Sequence, residues 1–110
     1  MAPFVFSFPA TIDRWIDGDS CVVHRGATPG VEIHGEHVRV QGINAPELRD
    51  AGGAAARDFA VSLAPVGSAV TLICTKPDKY GRLLSRIVLS DGLDFSELMI
   101  NAGHAVAYLV

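Results

Sequence analysis

Two tight-turn signals, each set between apolar runs, constrain the fold of this 110-residue chain more than any other feature. Asp17-Gly18-Asp19 separates a long alternating stretch, Phe4 to Ile16, from Cys21 to Arg25. Thr28-Pro29-Gly30 then separates that second run from Val31 to Gly42. Runs of period two bounded by Gly, Pro and Asp read as strands, so the first third predicts an antiparallel meander, with a bend near Pro9 in its first strand. Val38, Val40 and Gly42 share one face of the third strand.

After Pro46 the period changes. Ala56, Phe59, Ala60 and Leu63 recur at helical spacing within Ala54 to Leu63, between Gly52-Gly53 and Pro65. Ala69 to Cys74 and Leu83 to Leu89 read as two further strands, and Ser90-Asp91-Gly92 as a turn. Asp94 with Glu97 makes a capping box for a last helix holding Phe95 and Met99 in the core, and Gly103 stops it. Five strands with a helix after the third and another after the fifth predict a β-rich α+β fold, a five-stranded OB-type barrel with two helices forming one domain over residues 1–110.

Composition excludes several classes. With 49% hydrophobic residues the chain is a globular rather than a disordered one. Charged or small residues interrupt every apolar run before it reaches a membrane span, and the start lacks the basic and apolar regions of a secretory signal, so an intracellular protein is expected. Cys21 and Cys74 lie in strand-like runs without metal-type spacing and read as buried free thiols. His24, His34, His37 and His104 likewise show no paired ligand spacing.

The net charge of −3 argues against a nucleic-acid partner, but its distribution argues otherwise. Residues 39–86 hold seven basic residues against four acids, whereas the flanking segments are acidic. Within that basic stretch and just before it lie three chemically loaded motifs. They are Asp17-Gly18-Asp19-Ser20, the run from Arg39 to Asn44-Ala45-Pro46-Glu47, and Asp78-Lys79-Tyr80-Gly81-Arg82. Together they hold oxygen donors for a hard cation, a spare carboxylate and two guanidinium forks. Phosphodiester cleavage needs these parts: a polarised phosphate, an acceptor for water's proton, and positive charge on the phosphoryl oxygens.

In their order and spacing these motifs, with the ending Gly103-His104-Ala105-Val106-Ala107-Tyr108, resemble the staphylococcal nuclease-like (thermonuclease) family over almost the whole chain. The resemblance implies an OB-fold and hydrolysis of DNA and RNA, typically with calcium. It implies Asp19, Asn44 and the Ala45 carbonyl as metal ligands, with Asp17 in the outer shell on metal-bound water. Glu47 would activate the attacking water, and Arg39 and Arg82 would grip the phosphate. Lys79, Tyr80 and Tyr108 would line the nucleotide pocket.

Five departures from the family pattern stand out. Asn44 replaces a carboxylate ligand, so a weaker hold on Ca²⁺ is expected. Ser20 stands for threonine, the Leu48–Gly53 loop looks short, and Val110 stands where a further tyrosine often does. A C-terminal helix found in many relatives is missing from the sequence, so either this is a minimal version or a second copy or partner covers the apolar surface beneath.

Plainer readings of the same residues stay open at this point. Asp17 and Asp19 can be turn residues, and Arg39 can pair with Asp19 or Glu47. Arg82 can be a loop charge, and both tyrosines can be barrel packing. Two functions follow: a metal-dependent nuclease acting on single-stranded or frayed DNA or RNA, or a catalytically weakened barrel that binds nucleic acid or a protein.

Overall fold

A computed structural model describes residues 6–108 of the chain. Strands β1 (Phe6–Asp17), β2 (Ser20–Thr28) and β3 (Val31–Val40) form the expected meander. A two-residue strand β4 (Ile43–Asn44) leads to helix α1 (Gly53–Leu63). Then come β5 (Ala69–Pro77), β6 (Leu83–Val88), helix α2 (Phe95–Asn101) and a second two-residue strand, β7 (Val106–Ala107). Five strands close into a barrel in the order β1-β2-β3-β6-β5. Closure uses a parallel contact, Val38 to Val40 beside Leu83 to Ser85, whereas the other pairs are antiparallel. This is the five-stranded Greek-key barrel of the OB type, with both helices in their expected places. Phe4 and Val110, which the sequence reading used, lie outside the described residues.

In β1 the pleat and two bulges decide which side chains face the core. Ala10 and Ile12 point inward with period two. One extra residue, Asp13, then shifts the pairing between Ile12 and Arg14, so that Trp15 also faces inward. Its ring stacks on Phe95 at 4.8 Å and its indole N–H donates to the Ala64 carbonyl at 2.8 Å. A second bulge between Trp15 and Asp17 turns the strand toward the Gly18-Asp19 turn. Pairing with β5 runs unbroken through Pro9, so the distortions of β1 fall at these bulges and not at the proline.

Both helices serve the barrel. α1 buries Ala56 and Ala60 against β1 and α2, which matches the apolar stripe read from the sequence. In α2, Asp94 caps the helix by accepting from the Glu97 N–H, and Phe95 and Met99 are fully buried. Gly103, at φ 79°, ends it with a bond from the His104 N–H to the Met99 carbonyl. Cys21 and Cys74 are free and buried, and burial, with the nearby Asp17 charge, pushes the Cys21 thiol up to about 12. Among the described residues no helix is long and apolar enough to cross a membrane.

Candidate active site

The Gly18-Asp19 turn comes first because the rest is built on it. A side chain at Gly18 would place its Cβ 3.0 Å from Ala45 Cβ and Met99 Cε, and 3.1 Å from Ala56 Cβ. Any larger residue here would push Ala45, Ala56 or Met99 aside by a few tenths of an ångström. The Asp19 carbonyl accepts from the Val40 N–H at 2.8 Å, which ties the turn to β3. The Asp19 carboxylate is buried: one oxygen accepts from the Ala45 N–H at 2.8 Å, the other from the Ser20 hydroxyl at 3.3 Å. Asp17 accepts from the Asp19 N–H at 3.2 Å. Burial first, then the adjacent Asp19 side chain, pushes the Asp17 carboxyl up to about 6.

Arg39 is held by two backbone carbonyls and by Asp19. Its guanidinium donates to the Val40 and Ile43 carbonyls at 2.8 and 3.0 Å and lies 3.5 Å from an Asp19 carboxylate oxygen. The structural pairing left open by the sequence is therefore present with Asp19. Glu47 instead pairs with Arg49 at 3.0 Å, where both side chains are exposed. The β4–β7 pair sets Asn44 opposite Val106, and the Tyr108 N–H donates to the Gly42 carbonyl at 2.9 Å. Tyr108 is thereby brought back beside the Arg39–Asn44 segment.

The third motif is organised by its aspartate. Asp78 accepts from the Tyr80 and Arg82 backbone N–H groups at 2.9 and 2.8 Å on one oxygen, and from Arg82 Nε at 2.7 Å on the other. Burial works to raise this carboxyl, but the bonds from Arg82 and Tyr80 hold it below its ordinary value. Because Nε is engaged and the two terminal nitrogens of Arg82 have no hydrogen-bond partner among the described residues, they form the open end of a fixed fork. Tyr80 is 72% exposed, with Lys79 Nζ and the Arg82 guanidinium 5.2 and 5.5 Å from its ring centre. Neither Tyr80 nor Tyr108 is buried as barrel packing would require.

These elements enclose a pocket of about 480 Å³. It gathers Arg39, Asn44, Lys79, Tyr80, Arg82 and Tyr108 from the expected set. Asp19, Asp17, Ala45 and Glu47 do not line it, although Asp19 touches Arg39. Sequence reasoning missed Lys76 and the positioning role of Asp78, both of which face the pocket. An Asp two residues before Tyr80 was a legible signal for Asp78, because such a side chain closes an Asx turn. Four cationic side chains meet one carboxylate in the pocket wall, which suits an anion.

The nearby donors also bear on a cation. Asp17, Asp19, the exposed Asn44 amide and the Ala45 carbonyl all offer oxygen donors, the kind that hard divalent ions take. Burial and the neighbouring Asp19 side chain raise the Asp17 carboxyl, while Arg39 supplies the positive charge beside Asp19. Among the described residues no three His, Cys, Asp or Glu side chains converge as a metal cage. By donor chemistry the set suits a hard cation, while both Asp19 oxygens already accept from Ser20 and the Ala45 N–H.

A closed OB-type barrel carrying a cationic pocket beside the buried Asp19 carboxylate defines the class of small OB-type β-barrel domains. Comparison with known proteins narrows the class. The family model described as "Staphylococcal nuclease homologue" matches residues 37–110. Curated proteins described as "Uncharacterized endonuclease", from Escherichia coli O157:H7 and Escherichia coli, are each 31% identical over 112 residues, covering 96% of this chain and 69% of theirs. The chain belongs to the staphylococcal nuclease homologue family.

Proposed function

We propose that this chain is a metal-dependent nuclease that hydrolyses phosphodiester bonds inside single-stranded or frayed DNA or RNA, using Ca²⁺. The observation that carries the reading is the pocket in which the free end of the Arg82 fork, Lys79, Lys76 and Arg39 converge with two accessible tyrosines. Internal cutting is drawn from the endonuclease description of the two relatives.

Arg82 grips the phosphoryl oxygens, and charge building on them in the transition state strengthens that grip. Asp78 holds the guanidinium ready, so little orientation is left to the moment of reaction. Arg39, fixed by Val40, Ile43 and Asp19, presents its remaining edge to the same pocket. Lys79, Tyr80 and Tyr108 hold the adjoining nucleotide by charge, ring face and hydroxyl. Asp19, Asn44 and the Ala45 carbonyl would hold the divalent ion, with Asp17 bonded to its water; such an ion polarises the phosphate and makes bound water acidic. Glu47 accepts the proton of the attacking water. Its exposed pairing with Arg49 is worth at most about 1 kcal/mol and is easily exchanged for substrate.

The second reading, a barrel that binds nucleic acid without cutting it, draws on the amide at Asn44 and on the loose donor set. Backbone NMR during titration of a dinucleotide under chelation tests the pocket that both readings share. Shifts at Lys79, Tyr80, Arg82 and Tyr108 are expected. Shifts confined to the opposite side of the barrel would contradict the assignment.

A further inference from the structure

Beside the motif-lined pocket runs a second groove of about 350 Å³ that the reading above leaves unused. Phe6 and Phe8 of β1, Arg25 of β2 and Leu83 of β6 wall it, and it shares Lys76 and Pro77 with the first pocket. The sheet explains the continuity. Phe6 lies opposite Cys74 on β5, and Pro77 at the end of β5 lies opposite Leu83. One surface therefore runs from the Asp78 loop back along β5 to the start of β1.

Its chemistry is that of a stacking platform. The Arg25 guanidinium lies 5.0 Å from the Phe8 ring centre and is anchored to Glu36 at 2.9 Å. Planar Arg on aromatic makes a flat, extended face, and the Glu36 pairing leaves that face only weakly charged. Phe6 is 62% exposed beside it. A single exposed phenylalanine is ordinary. Here, however, it borders a groove joined to an anion pocket through Lys76, which makes no ion pair among the described residues.

We infer that this groove is a second nucleotide subsite, which takes the base of a neighbouring residue of an unpaired strand whose scissile phosphate occupies the first pocket. The inference rests on the nuclease reading and narrows its substrate to strands long enough to span both cavities. The base stacks on Phe6 and on the Phe8–Arg25 platform, and Lys76 meets the connecting phosphate. Every base has a π face, so the subsite is tolerant of sequence. A paired base, already stacked within a duplex, cannot enter.

The test is fluorescence anisotropy in chelator, with labelled oligothymidylates of two and ten nucleotides and a ten-base-pair duplex, and cleavage of the same strands in millimolar Ca²⁺. Wild type, Phe6→Ala and Lys76→Gln are compared, with melting curves and sedimentation as controls. Loss of a base-stacking ring weakens binding by about fivefold or more. That loss is expected for Phe6→Ala with the decamer and not with the dinucleotide, at an unchanged melting temperature. Lys76→Gln is expected to lower the salt slope for the decamer by roughly 0.7. Equal losses at both lengths, or none from Phe6→Ala, would overturn the subsite. If wild type cleaves while Phe6→Ala binds the decamer normally, the nuclease reading survives and the groove alone falls. A wild type that neither binds nor cleaves any strand removes both. Unchanged binding with a lower melting temperature or a smaller assembly would mean that protein, from this chain or a second copy, fills the groove, and also overturns it.

Discussion

Replacing Asp78 by Asn and by Ala separates the two tasks of this carboxylate, shaping the loop and aiming Arg82. Asp78→Asn can keep the oxygen that accepts from the Tyr80 and Arg82 N–H groups. It turns an amide N–H₂ toward Arg82 Nε, where a carboxylate now accepts at 2.7 Å. Donor then faces donor, and the fork swings free. With side chains 14% and 31% exposed, the pair lies between surface and buried ion pairs, so its loss costs about 1–2 kcal/mol. Asp78→Ala also strips the two backbone donors, which water can reach, and costs about 1 kcal/mol more. Activity should suffer more than stability. Misplacing a catalytic group by an ångström costs about a hundredfold. We expect kcat on a single-stranded oligonucleotide to fall by about that factor in Asp78→Asn, with KM little changed. The lowered Asp78 carboxyl adds a pH signature. Its contribution to stability is complete above the ordinary value of 3.8 and is lost as pH falls through the lower folded value. Wild-type kcat in Asp78→Asn, alongside an inactive Arg82→Ala, would refute the idea that Asp78 aims the fork.

Asp17→Asn should stabilise the protein in chelator at neutral pH. The folded carboxyl titrates near 6 against 3.8 unfolded, so wild type loses stability as pH rises between these values, by about 1 kcal/mol after screening at this half-exposed site. Melts should coincide at pH 4 and diverge above pH 6; coincidence throughout would contradict it. Asn44→Asp should tighten Ca²⁺ binding on the order of tenfold by calorimetry, since a full negative charge replaces a dipole. Unchanged or weaker affinity would remove Asn44 from the metal shell. Gly18→Ala places a methyl 3.0 Å from Ala45 and Met99 and should cost about 1–3 kcal/mol, a drop of about 4 °C or more in Tm. An unchanged Tm would show that the turn has room to spare.

The barrel was legible because its signals are local: two turns, a period change after Pro46, and the Asp94 cap. Trp15 was less so. Strict alternation from Ile12 would place it outward, and only the extra residue Asp13, which pairing with β2 exposes, turns it onto Phe95. The parallel β3–β6 contact and the β4–β7 pair are long-range, and two-residue strands carry no periodicity to read. The pocket residues Arg39, Asn44, Lys79, Tyr80, Arg82 and Tyr108 could be named because motif order tracks the family. Lys76 lies outside every motif, and its place in the pocket follows from the course of β5. The Glu47–Arg49 pairing depends on rotamers in an exposed loop, which no spacing encodes.

The most direct test of the central claim is cleavage of an end-labelled single-stranded DNA oligonucleotide with millimolar Ca²⁺. Chelator, Mg²⁺ and Mn²⁺ reactions run beside it, and a matched Arg82→Ala preparation reports contaminating nuclease. The account predicts internal cuts that need the metal and fall by about a thousandfold or more without Arg82. Binding of the strand by folded protein with no cleavage under any ion would contradict it and make this barrel a binding module.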